Sequence, residues 1–464
     1  MSGHRGLATV VRNSLVSSLV SSVIFCAVVM PRSLAAQSSG ALGNGLSAAA
    51  VSRGGTMVAE QGDPLEAVEG NPAGLATTQR TLDLSGLAIF AQGRFSNSVE
   101  SDGTIRGFAG AVPYAAFGSP LGSSKWKASV AFTPDMLMRA AWNYADPPGT
   151  AGASYGVQKS ESEIVALRSS ATLARTIGRR WSFGGGVGLD YNVNTLRAPY
   201  IFQQQPQLAG LKVLLDLQTR GFGWNGSAGV QWQPSDRFRV GLAWKSATFI
   251  QSHGDASGTA SAQFAALGIA ADPNFHYQAE VDNHLPQTAV AGLRWSASRH
   301  AVLSVEGAWT GWAGAFENLP VKLKEGTNAT INSVAGSSSI RDEVPLHWRD
   351  QGVFRAGVEL PLRQRWTARA GYSYASNPVP AATLTPLTAA ILTNSVSAGA
   401  GWNPETSNSH ASWAPSSWRW DVAYQAQLPA SQSVGQSALL AGEYDNSRVH
   451  VLTQSVTVTA RFNF

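Results

Sequence analysis

Few residues of this 464-residue chain are spaced for covalent chemistry. His410 and Ser412 in "NSHASW" pair a base with a hydroxyl. Two positions apart on one segment they make no triad, and neither G-x-S-x-G nor H-E-x-x-H occurs. No Asp/Glu group has metal-loop spacing, so the expectation is a non-enzyme with no catalytic residue, metal or cofactor. The chain does carry isolated cations on apolar, alternating backgrounds: Arg168, Lys245, Arg294 and Arg355. In an enclosed pocket of low dielectric, such a group supplies the counter-charge for a ligand carboxylate. Each could equally pair with a neighbouring carboxylate such as Glu306 or Glu359, and the sequence does not choose among the four.

The elements that carry these cations alternate with period two. In "WSFGGGVGLDYNV", Trp181, Phe183, Val187, Leu189 and Tyr191 share one face, with Ser182, Gly184, Gly188, Asp190 and Asn192 on the other. "FRVGLAWKSA" sets Phe238, Val240, Leu242 and Trp244 against Arg239 and Lys245, and "VFRAGVELPL" sets Phe354, Val358 and Leu360 against Arg355 and Glu359. Bulky apolar side chains on one face and small or charged ones on the other fit a lipid-facing wall around a polar lumen. Composition agrees. Only 14% of residues are charged, against about 25% in soluble chains, and there are 47 glycines and 15 tryptophans. The net charge of +5 comes without a basic block, which argues against a nucleic-acid partner.

Arg5 and Arg12 precede an apolar run from Leu15 to Met30, followed by small residues, so 1–36 reads as a signal peptide. Cys26, the single cysteine, lies inside it, which leaves residues 37–464 without thiol or disulfide chemistry. About fourteen alternating segments follow from residue 80 to 464, of a length suited to tilted membrane-spanning strands. Short turns such as "TIGRR" and "SASR" alternate with long polar stretches at 139–160, 251–278 and 314–346. That is the pattern of short periplasmic turns and long extracellular loops. Trp126, Trp181, Trp232, Trp295 and Trp366 all adjoin short turns and predict an aromatic belt at that interface. The final strand ends on Phe464, a terminal aromatic of the kind that barrel-insertion machinery reads.

Before the first strand, "DPLE" places Asp63 as N-cap, Pro64 at N1 and Glu66 at N3 of a short helix ended by Gly70. Asn71-Pro72-Ala73-Gly74 at once repeats the cap-and-proline start. Helices too short to form a core of their own make sense as a plug, since a fourteen-strand lumen is too wide for wall side chains to fill. The expectation is an all-β, transmembrane antiparallel barrel (80–464) with a short-helical hatch (37–79) in its lumen. Pro134 interrupts the third strand, "WKASVAFTPDML", removing a backbone donor next to Thr133 and Asp135. It marks either a wall break there or a strand end above the membrane.

"GLSAAAVSRGGTMVAEQGDPLEAVEGNPAGLA" and "HWRDQGVFRAGVELPLRQRWTARAGYSYASNPVP" resemble the hatch and the Trp-Arg-Asp region of the FadL family of outer-membrane fatty-acid and hydrocarbon transporters. Glu69-Gly70 stands where that family usually has an aromatic before the Asn-Pro. The resemblance implies passive uptake through an internal hydrophobic site, with hatch movement and lateral exit at the third strand, in a monomer of the bacterial outer membrane. Its partners would be a hydrophobic small molecule, outer-membrane lipid and lipopolysaccharide. The expected substrate is a long-chain fatty acid, with aromatic or aliphatic hydrocarbons as the alternative. A general porin and a barrel lipase are more remote readings. The apolar loop segments Ala265–Ala270 and "PLTAAIL" at 386–392 are candidate landing sites, with loop-to-loop packing as the equal alternative.

Overall fold

The computed structural model describes residues 44–100, 102–362, 365–404 and 415–464, with the backbone alone at 106–110. The expected signal peptide with Cys26, residues 37–43 of the expected hatch, and His410 and Ser412 lie outside the described residues. One antiparallel sheet closes on itself. Its first strand, β1 (Thr81–Ser96), pairs with β2 (Gly103–Pro120) on one side. On its other side β1 pairs with the last strand, β18 (Arg448–Asn463), from Thr81 against Asn463 to Ser96 against Arg448. Closure removes the free edges of an open sheet, as hydrocarbon surroundings require, save along part of the β2–β3 boundary. Between them run β3 (Trp126–Ala145), β4 (Val157–Ile177), β5 (Trp181–Ile201) and β6 (Lys212–Ser235). Next come β7 (Phe238–Lys245), β8 (Thr248–Thr259), β9 (Asn274–Leu285), β10 (Thr288–Ser298), β11 (Ala301–Thr310) and β12 (Asn318–Lys324). The rest are β13 (Ile340–Pro345), β14 (Gln351–Pro361), β15 (Trp366–Ala375), β16 (Asn394–Trp402) and β17 (Ser417–Ser433).

Among the described residues eighteen strands make fourteen spans, because four spans are broken in two. The lower halves β7, β10, β11 and β14 pair among themselves, and the upper halves β8, β9, β12 and β13 do the same. The long stretches expected at 251–278 and 314–346 are therefore only partly loop, since β8, β9, β12 and β13 extend through them. The segment 139–160 likewise contains the end of β3 and the start of β4. The breaks shift the alternation. Along β7 the even residues Phe238, Leu242 and Trp244 face outward, whereas on β8 the odd residue Phe249 is outward and Ile250 is buried. A one-residue slip of phase turns every side chain to the other face. With the unbroken β6, the shifted upper strands make a wall apolar on the inside, where Val213, Leu215 and Leu217 of β6 join Phe275, Tyr277 and Val281 of β9 in one buried cluster.

The lower wall keeps its apolar face to lipid. Trp126, Trp181, Trp232, Trp295 and Trp366 are all exposed beside the short turns. Trp181 stacks on Trp232 at 5.7 Å and Phe238 on Trp295 at 5.8 Å, so rings of the belt bridge β5 to β6 and β7 to β10. Inside this lower half sits residues 44–79: α1 (Ala48–Ser52), α2 (Pro64–Glu69) and a 3-10 turn (Pro72–Thr77). Each starts on a side-chain cap, from Ser47, Asp63 and Asn71 respectively, because five- and six-residue helices cannot satisfy their own first N–H groups.

Ion pairs fasten this hatch to the wall. Arg53 bonds Glu66 at 2.8 Å and approaches Glu359 of β14 at 3.5 Å. Arg461 of β18 holds Asp63 and, at 2.8 Å, Asp83 of β1. Glu60 pairs with Arg294 of β10 at 3.0 Å, and Glu306 of β11 accepts from the Met57 and Val58 amides. Removing one partner of such a buried pair strands the other and costs on the order of 3–5 kcal/mol. The wall also leaves room for hatch backbone. A Cβ at Gly184 would stand 2.3 Å from the Pro72 carbonyl carbon, and one at Gly371 would stand 2.0 Å from the Gly54 nitrogen. Gly184→Val is therefore expected to unseat the 72–73 turn while the strand survives. Planar-bilayer recordings should show a small-ion leak approaching that of a chain lacking residues 37–79, and an unchanged conductance would contradict this seating.

Candidate functional site

The β2–β3 ladder has a hole in it. Pairing runs from Pro120 opposite Lys127 to Ala115 opposite Phe132, and resumes only at Thr104 opposite Asn143. Residues 105–114 of β2 and 133–142 of β3 have no register partners across this boundary. Each strand stays paired on its far side, β2 with β1 and β3 with β4. The β3–β4 register slips between Pro134 and Met136, so Asp135 is the bulged residue. Its carboxylate reaches Lys245 of β7 at 2.5 Å, a partner separated from β3 by three intervening strands. The bulge thus points into the lumen.

Two internal cavities meet at this segment. The lower one, about 140 Å³, lies on the hatch and is lined by Thr133–Leu137 together with Leu46, Glu69, Arg168, Lys245, Glu306 and Arg355. The upper one, about 150 Å³, is walled by the inward apolar face of the upper strands, by Met138, and by Phe316 and Trp348. Those two rings stack at 4.9 Å and, with Trp312, fill the inward jog where β11 passes to β12. A third, outer cleft of about 70 Å³ lies among the extracellular loops and shares Phe202 and Phe275 with the upper cavity.

Among the four candidate cations, the structure brings three together. Arg168, Lys245 and Arg355 line the lower cavity, whereas Arg294 lies below it, held by Glu60. Lys245 is taken up by Asp135, and Arg355 approaches Glu306 at 3.7 Å. Arg168 is buried with its Nε unpartnered, and no carboxylate lies within ion-pair distance of it among the described residues. Its guanidinium lies over Gly188, where a Cβ would stand 2.1 Å from Nε. Asn71 caps the Pro72–Thr77 turn and donates to the carbonyls of Val58 at 2.8 Å and Val230 of β6 at 3.2 Å. Pro72, Ala73 and Gly74 follow within that buried turn. Of the two apolar loop segments, Ala265, Ala266 and Leu267 are exposed on a short helix at the outer cleft. Ala389, Ala390, Ile391 and Leu392 are buried under the loops and serve packing instead.

Sequence reading missed the ion pairs Arg53–Glu66 and Arg461–Asp63, and the buried group Asp146, Lys212 and Glu443. Arg461 and Asp63 are 398 positions apart, so no local pattern signals them.

A closed fourteen-span barrel, plugged below, apolar above and open at one seam, has the architecture of an outer-membrane channel for hydrophobic compounds. Residues 32–462 match the model of the outer membrane protein transport protein family (OMPP1/FadL/TodX), and the chain belongs to that family. It is a bacterial outer-membrane β-barrel of a transport family. The fold is shared with a Pseudomonas aeruginosa FadL homologue at a TM-score of 0.69 and 16% identity, covering 90% of this chain and 98% of that one. The toluene transporters TodX of P. putida and TbuX of Ralstonia pickettii each give 0.67 at 16% identity, covering 91% of this chain and 99% of theirs. No curated protein sequence gives a significant match.

Glu69 makes the site responsive to pH. Burial pushes its carboxyl from the ordinary 4.5 up to about 8, against the opposing pull of the Leu46 amide and Arg355. Leu46 N–H donates to it at 2.7 Å, tying the start of the hatch to α2. A carboxyl raised in the folded state stabilises fully below about 4.5, and that contribution is lost as pH rises through about 8. The ionic leak is expected to grow over this window, and Glu69→Gln should flatten the rise; identical pH profiles for the two proteins would contradict the assignment.

Proposed function

We propose that the chain takes up hydrophobic molecules passively, from the outer cleft to the upper cavity, past the kinked β3 segment, and sideways through the β2–β3 gap into the bilayer. The observation that carries this reading is that the unpaired β3 stretch, 133–142, lines both internal cavities, Thr133–Leu137 the lower one and Met138 the upper one. A hydrophobic ligand gains nothing by entering periplasmic water, so a lipid-facing seam is the favourable way out. No step of this route requires catalysis. Phe464 is read as the contact for insertion machinery, outer-membrane lipid and lipopolysaccharide as the surroundings, and a monomer as the working unit. The test is to join Ala111→Cys of β2 to Leu137→Cys of β3 with a flexible bismaleimide. Uptake of a hydrophobic probe into cells should stop while binding to purified protein persists, and undiminished uptake would refute lateral exit.

Two substrate readings are supported by different cavities. A long-chain fatty acid would set its carboxylate on Arg168, whose Nε is unpartnered beside the lower cavity. An aromatic or aliphatic hydrocarbon suits the upper cavity, whose lining contains no Lys or Arg among the described residues. Arg168→Ala is expected to weaken oleate by about 1.5–3 kcal/mol, the worth of a lost charge-assisted bond, and to leave an alkane unaffected. Equal oleate affinity for variant and parent in calorimetry would remove the fatty-acid reading.

A further inference from the structure

Among the described residues lining the upper cavity, Asn194 Oδ1, Trp348 Nε1 and Glu443 Oε1 are buried without a hydrogen-bond partner, and of these the last alone belongs to an ionisable group. Three carboxyls line the cavity: Glu163, Asp342 and Glu443. Glu163 pairs with Arg139 at 3.4 Å, and Asp342 accepts from the Tyr200 hydroxyl at 2.6 Å and the Gln203 amide at 2.8 Å. Glu443, 5% exposed, has no hydrogen-bonded neighbour at Oε1; Lys212 Nζ is 3.7 Å away, beyond hydrogen-bond reach. That ammonium is already spent on Asp146 at 2.8 Å and the Pro147 carbonyl at 2.7 Å. Asp146 also accepts from the Tyr155 amide at 2.9 Å.

Two buried carboxyls therefore share one buried ammonium, and Asp146 has the better hydrogen bonds. An enclosed cluster avoids the surplus negative charge by keeping a proton on the other acid. Burial accordingly pushes Glu443 up to about 8, and Asp146 pushes it the same way while Lys212 opposes. Burial raises the neighbouring Tyr444 hydroxyl well above its ordinary value, so it is neutral as well. A neutral carboxyl is both an O–H donor and an acceptor. In an apolar cavity it favours a ligand group that completes its bonding, and it gives an anion no counter-charge.

We propose that Glu443 is a head-group anchor in the upper cavity, which selects uncharged amphiphiles (an alkyl or aryl body with one hydroxyl or carbonyl) over carboxylates. This rests on the uptake reading above and names its substrate class. The probes are an alkane, a primary alcohol, a carboxylate and an ammonium of one chain length, measured by calorimetry on the purified full chain at pH 6.5, with displacement of a fluorescent alkyl reporter. Glu443→Gln keeps a donor and an acceptor, whereas Glu443→Leu removes both; the Lys212–Asp146 pair remains in each. The parent should bind the alcohol about fivefold or more tighter than the alkane and the carboxylate, in line with one net hydrogen bond. Glu443→Gln should keep that preference and Glu443→Leu should abolish it without weakening the alkane. A carboxylate or ammonium bound as tightly as the alcohol would overturn the proposal, as would a preference that survives in Glu443→Leu or is lost in Glu443→Gln. If no probe binds, the alkane included, the uptake reading fails with it.

Discussion

The Asp135–Lys245 ion pair is the interaction on which the rest of this barrel turns. A bilayer punishes unpaired backbone, so a spanning wall closes its ladder unless something holds it open. Pro134 removes one donor, but a missing donor alone would leave a local blemish. What converts it into a gap is the bulged Asp135, drawn to a lysine on β7 across the lumen. The pair lies where the lower cavity, the seam and the hatch meet, since Leu46 and Glu69 line the same space. Charges that in another wall would merely face solvent here set the shape of the wall.

Above and below this point the lumen has opposite chemistry. Below, hatch and wall are joined by buried ion pairs and by hatch backbone lying against wall glycines, which makes an ordered plug. Above, the broken spans turn their apolar faces inward and line the lumen with aliphatic and aromatic groups. On the proposed route, a hydrophobic ligand moving down this axis would meet favourable surface until the ionic layer, where the seam would offer lipid instead. In that proposal polarity, more than any moving part, gives the route its direction.

The spans of the lower wall were legible because each has one lipid face and one polar face, and Trp181, Trp232 and Trp295 mark where they end. The hatch was legible from Asp63-Pro64 and Asn71-Pro72, since caps and first-turn prolines are local signals. The upper half was read as loop for a physical reason. Strands such as β9, "NFHYQAEVDNHL", carry charge outward and bulk inward, the reverse of the lower pattern, and resemble polar extracellular chain. The cations could be placed on the lumen side by alternation, but their partners could not. Arg168 and Arg294 look alike in sequence and differ only because Glu60 of the hatch meets one of them. Glu443 carried no signal at all, because its partners lie on β6 and in the loop after β3.

The route is tested most directly by a photoactivatable alkyl diazirine, equilibrated with the protein in lipid nanodiscs, flashed, and mapped by peptide mass spectrometry. The account predicts labels on Leu217 and Met138 in the upper cavity, on Leu137 at the kink, and on Val112 along the β2 edge of the gap. Labels that pass from the upper cavity to hatch residues such as Val68 and Leu75, and leave Leu137 and Val112 bare, would mean the ligand leaves through the plug and would contradict it.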